Sequence, residues 1–263
     1  MITIAIANQK GGCGKTTTCA MLGAELALRG YETLIIDSDP QGHASQIFVD
    51  PGGINGSLAD VLVQNGGATV SLLEVMHRTE LEKLQLVPSQ LNLAVFDRSQ
   101  ELNVGRLRRA LKEVKDYFEV CLIDTPPNLG MLLSAALVAA DYVLVPVQAE
   151  PLAVEGVKDL LGVVREAQEL NEDLKVLGAV TTMLDKRTSV GLEIHASMRE
   201  MFPYKTFDTA IRRQVRLCEC PSVHQPIQLY APKSTGSVDY GSFTTELLAE
   251  LGLPAAERRA ANG

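Results

Sequence analysis

The chain has 263 residues, 46% of them hydrophobic, and a formal net charge of −8. That length suits one large α/β domain or two small ones, and no stretch has the length and polarity of a membrane span. The acidic balance argues against a protein that binds nucleic acid over its whole surface, but a local basic face stays open, because counterion release depends on the charges at the contact.

The N-terminal "MITIAIANQ" lacks the basic region and cleavage site of a secretion signal, and five scattered cysteines fit a reducing compartment better than a disulfide framework. Residues 2–7 form a run of strand formers. The glycine-rich "NQKGGCGKTTT" (8–18) follows, and the apolar spacing then predicts a helix over 16–29, closed by Gly30. Strands are expected at 33–37 and, shorter, at 85–89, with small helices and loops in the Gly-rich region 52–79 between them. "YFEVCLIDTPP" (117–127) reads as a buried strand stopped by two prolines, and 142–148 and 175–183 as the last clear strands. Helices are expected within 134–140, 154–170, 191–202 and 242–251, and the tail from 254 is short and polar. Buried Val/Ile/Leu strands joined by helices imply a single α/β domain, residues 1–253, with a mostly parallel twisted sheet covered by helices on both faces.

A strand, a glycine-rich turn and a helix starting near Lys15 provide the context of a phosphate-binding loop. Backbone N–H groups of the turn and the positive end of the helix dipole face the anion. Lys15 supplies a charge to the outer phosphates and Thr16 a hydroxyl for Mg²⁺. The standard G-x-x-x-x-G-K-[ST] pattern is met at Gly14, Lys15 and Thr16 but has Gln9 where its first glycine belongs, and a second lysine, Lys10, stands beside it. Two acidic motifs lie at strand ends, where ligands bind in open parallel sheets. They are Asp37 and Asp39 in "IIDSDPQGHAS" and Asp124 in "CLIDTPP".

"KGGCGKTTT" resembles the deviant Walker A box of the ParA/MinD superfamily of P-loop ATPases. The resemblance extends through "VPVQAEPLAVEGV" (145–157), "VRLCECPSVHQPI" (215–227) and "YAPKSTGSVDYGSFTTELL" (230–248), in the order of short, Soj-like ParA proteins. It implies ATP and Mg²⁺ as cofactors, with Lys10, Gly11, Gly12, Cys13, Gly14, Lys15, Thr16 and Thr17 around the phosphates. It implies that Lys10 reaches the nucleotide of a second chain in an ATP-sandwich homodimer, a cation in trans like an arginine finger, worth roughly 10³–10⁵ in rate elsewhere. Asp39 would orient the attacking water, while Thr16, Asp37 and Asp124 would serve Mg²⁺ and its hydration shell.

Seven Lys/Arg against three Asp/Glu between Lys186 and Arg216 mark a basic segment in an acidic chain. The resemblance makes it a surface for non-specific DNA binding, with Arg187, Arg199, Lys205, Arg212, Arg213 and Arg216 as candidates, although the pattern has Pro where Arg212 stands. It further implies a ParB-like stimulating partner and a cytoplasmic, nucleoid-associated protein that moves DNA or a protein cargo.

Three competing readings differ in their requirements. A MinD-like membrane ATPase needs a terminal basic amphipathic helix; here Phe243, Leu247, Leu248 and Leu251 look core-facing. An iron–sulfur scaffold would need metal ligands, for which only Cys218-x-Cys220 and nearby His224 offer themselves. An ATP-dependent amide ligase would need a substrate pocket. Cys13 sits at a helix N-terminus beside lysines, a place that can acidify a thiol, but it reads more simply as the filler of a variable loop position.

Overall fold

The structure is a computed structural model, and it describes residues 1–62, 70–98, 104–150, 155–187 and 189–255. Seven strands form one sheet: β1 (Ile2–Ile6), β2 (Thr33–Asp37), β3 (His77–Arg78), β4 (Leu84–Val87), β5 (Val120–Asp124), β6 (Tyr142–Gln148) and β7 (Lys175–Thr182). Their order is β3-β4-β2-β5-β1-β6-β7, parallel throughout except for the two-residue edge strand β3, which runs antiparallel to β4. The central strands β1, β2 and β5 are buried almost throughout, which is why they read as unbroken apolar runs.

Helices cover both faces. On one face lie α1 (Lys15–Leu28) and α2 (His43–Phe48). The other face carries α3 (Leu58–Leu62), α4 (Leu72–Val75), α5 (Ala94–Arg98), α6 (Gly105–Val114), α7 (Met131–Ala139), α8 (Glu155–Gln168) and α9 (Ser189–Met201). The chain then returns to the first face as α10 (Val215–Val223), α11 (Ile227–Tyr230) and α12 (Thr235–Glu250). In α1, Gly23 lies so close to the sheet that an added Cβ would stand 2.6 Å from Ile35 Cδ1.

The expected strands and helices are present, with local differences. β5 starts at Val120, since Tyr117 is exposed and turns the chain out of α6. Helix α12 begins seven residues before the expected 242, capped by the Ser234 hydroxyl, which accepts from the Ser237 N–H. Helix α6 is not among the expected elements, although Leu107, Ala110, Leu111 and Val114 recur at helical spacing and are buried. The expected tail lies outside the described residues from 256 onward.

Candidate functional site

Register sets the site. Ile6, Asp124 and Asp37 pair side by side across β1, β5 and β2, so three strand ends stop at one level. The glycine loop leaves β1 at that level and turns into α1. Gly12 (φ +73°) and Gly14 (φ +89°) adopt left-handed backbone that side chains disfavour. Thr182 Oγ1 donates to the Cys13 carbonyl at 2.7 Å, Thr125 Oγ1 to Ile6 O at 2.8 Å, and Asn8 Nδ2 to Pro146 O at 2.7 Å, so neighbouring strands hold both loop flanks.

The two lysines part company. Lys15 is buried and points its ammonium back to the Lys10 carbonyl at 3.3 Å, inside the loop. The Lys10 ammonium lies outside, 40% exposed, 2.7 Å from Glu150 Oε2. Glu150 is not among the expected site residues. Its carboxyl sits below the usual range, chiefly because Lys10 donates to it, and Arg213 adds attraction.

The three carboxylates gather beneath the loop. Asp37 Oδ2 accepts from Ser45 N–H (2.8 Å) and Ser45 Oγ (2.6 Å), and Asp37 Oδ1 from Asp39 N–H (3.2 Å). Burial pushes the Asp37 acid up to about 6 against those bonds. Asp124 is fully buried, and neither of its oxygens has a hydrogen-bond partner of good geometry. Its acid rises well above the ordinary range through burial, then through the charge of Asp37, with the nearby Thr16 hydroxyl opposing. A buried carboxylate left without donors costs stability unless a cation joins it. Thr16 and Asp124, with Asp37 behind them, therefore fit a divalent cation at the phosphates. Cys13 is not acidified: burial pushes its thiol up more than Lys15 pulls it down.

Beside Gly14 and Thr17 opens a mostly apolar cavity of about 270 Å³, walled by Thr182, Met183, Ile211 and Leu217 among others. Its walls suit a flat heteroaromatic base next to a phosphate site.

The candidate basic residues divide by partner. Arg187 pairs with Asp185 (2.8 Å), Arg199 with Asp208 and Lys205 with Glu250. Arg212 holds buried Asp239 through both Nε and Nη2 (2.9 and 2.6 Å), which makes it part of the framework joining the β7 side to α12. Arg213 and Arg216 are exposed and, among the described residues, have no carboxylate within ion-pairing distance. Lys233, absent from the expected set, joins them: it lines a depression with Arg216, Gln214 and Thr235 at the N-terminal end of α12. The lysine just before the Ser234 cap is the signal that could have found it.

Residues 1–176 match the family model described as AAA domain. The sporulation initiation inhibitor protein Soj of Bacillus subtilis (strain 168) is 40% identical over 251 residues, covering 94% of this chain and 98% of that protein. The chain belongs to the ParA/MinD superfamily, on its Soj-like branch. The chromosome partitioning protein ParA of Myxococcus xanthus (strain DK1622) is 38% identical over 93% of this Soj-like chain and 87% of its own. A solved structure described as cobyrinic acid a,c-diamide synthase from Mycobacterium smegmatis, with bound ATP analogue and magnesium, shares the fold with TM-score 0.82 and 32% identity, covering 98% of both chains.

Proposed function

We propose that the protein is a Soj-like ATPase that closes ATP and Mg²⁺ between two copies of itself, binds DNA without sequence preference as a dimer, and positions DNA or a protein cargo as partner-stimulated hydrolysis resets it. The observation that carries this reading is the opposite placement of the two lysines. Lys15 occupies the loop interior, whereas Lys10 stands outside it and partly exposed, where a second chain can bring its nucleotide.

Within that reading, loop N–H groups from Gly11 to Thr17 and Lys15 hold the phosphates, and the cavity beside Thr17 takes the adenine. Mg²⁺, when bound, neutralises phosphate charge; Thr16 and Asp124 would hold it, supported by Asp37. Asp39, whose Oδ1 accepts from the Gln41 N–H at 3.0 Å, keeps its second oxygen for the attacking water. Arg213, Arg216 and Lys233 supply cations for DNA phosphates. The partner is a ParB-like adaptor.

The apolar side of α12 supports DNA over lipid as the anchoring surface: Phe243, Leu247 and Leu248 are buried in the core and leave no amphipathic face for a bilayer. Among the described residues, no helix is long and apolar enough to cross a membrane. An iron–sulfur role finds little support in Cys220, whose thiol is turned inward and donates to the Arg216 carbonyl of its own helix.

The test is Lys10→Ala, followed by sedimentation with Mg²⁺ and a non-hydrolysable ATP analogue. Nucleotide binding should persist while the dimer weakens to a still measurable dissociation constant and turnover falls, by at least about a thousandfold if Lys10 acts as a finger does. Intact dimerisation would reject the assignment. The name of the Mycobacterium smegmatis structure motivates a second reading, ATP-driven amidation. Stimulation of ATP turnover by cobyrinic acid with an ammonia donor, and not by DNA plus adaptor, would favour it.

A further inference from the structure

The Lys10–Glu150 contact joins residues 140 positions apart, and both ends hang from the same strand. Asn8 fastens the loop entry to the Pro146 carbonyl of β6, and its Oδ1 accepts from the Lys10 N–H at 3.0 Å. Glu150 follows the end of β6: its N–H donates to Gln148 O (2.8 Å), the Ala149 N–H to Thr182 O (3.0 Å), and Gln148 Nε2 to Glu150 Oε1. The lysine and its counter-ion are thus brought together by backbone anchors, with the carboxylate oriented by a second donor.

We propose that Glu150 is the positioning residue for Lys10, holding its ammonium on its own chain until the nucleotide phosphates of a second copy compete for it. This rests on the reading above that Lys10 acts in trans. The exposure of the pair sets its strength. With side chains 40% and 44% exposed it contributes about 1 kcal/mol or less. That is enough to bias a flexible side chain and too little to resist a polyphosphate carrying several charges. A buried pair could not exchange partners in this way, because its carboxylate would be left buried without a counter-charge. Here the charge of Arg213, beyond ion-pairing distance, still favours the Glu150 carboxylate when Lys10 leaves.

Glu150 therefore opposes dimerisation weakly and only through Lys10, which makes a double-mutant cycle decisive. The dimer dissociation constant is measured by sedimentation with Mg²⁺ and a non-hydrolysable ATP analogue for the native chain, Glu150→Gln, Lys10→Ala and the double variant. Glu150→Gln preserves shape and the contact to Gln148 while removing the charge. It should tighten the native dimer about two- to fivefold, the equivalent of an exposed pair, and have no effect in the Lys10→Ala background. An equal effect in both backgrounds, no effect in either, or a weakened dimer would overturn the proposal while leaving the trans role of Lys10 standing. A Lys10→Ala chain that dimerises normally would remove that role, and with it this inference.

Discussion

At the scale of single residues, the site holds two buried acids whose burial is useful only when a cation arrives. Asp37 titrates near 6 in the folded chain against about 4 when unfolded, so between those values the folded state carries the extra proton. The contribution of Asp37 to stability is therefore greatest below that window and declines as pH rises through it, the reverse of a salt-bridged aspartate. Thermal unfolding without metal should show this decline between about pH 4 and 6, and Asp37→Asn should remove that component while abolishing Mg²⁺-dependent turnover. If both proteins have the same pH profile, the acid is not strained as described. The carboxylates at strand ends were legible in the sequence because "IID" and "LID" end apolar runs. Glu150 was not, although it lies within "VPVQAEPLAVEGV", because its partner Lys10 stands 140 positions earlier in the chain. For the same reason the commitment of Arg212 to Asp239 and of Lys205 to Glu250 could not be read from a count of basic residues.

At the scale of elements, helix α1 joins the nucleotide loop to the sheet, and its closest approach is at Gly23. Any side chain there collides with Ile35, itself fully buried between β-sheet neighbours. Gly23→Val should destabilise the chain by about 1–3 kcal/mol through overpacking, seen as a lower midpoint in urea. Adding Ile35→Ala should recover part of the loss, and failure to do so would place the strain elsewhere. Most elements announced themselves through period and punctuation: Pro126 and Pro127 after β5, Gly30 after α1. The edge strand β3 did not, since two residues carry no alternation, and its pairing to β4 is a product of the finished fold.

For the whole molecule, the net charge of −8 and the proposed function point in different directions. If the acidic chain binds DNA through the depression of Arg216 and Lys233, those residues should dominate affinity. Arg216→Glu with Lys233→Glu should abolish ATP-dependent DNA retention at moderate salt. The milder Arg216→Ala with Lys233→Ala should lower the slope of log affinity against log salt by about 0.9 for each phosphate no longer neutralised. Turnover without DNA should be unchanged. Arg213 is a poorer choice for that experiment, because its charge also acts, at a distance, on the carboxylates of Glu150 and Asp185. Retention undiminished in both double variants would exclude this face.

Helix α12 gives the last consequence. Tyr240 meets the Thr18 hydroxyl of α1 at 3.2 Å, while the preceding residue, Asp239, grips Arg212, next in sequence to Arg213. One rod thus touches the helix that grows from the phosphate loop and the stretch of chain that carries Arg213. Under the proposed function, a tilt of α1 on nucleotide binding is passed to the segment carrying Arg213 through two adjacent residues of one helix, with no need for a separate messenger segment.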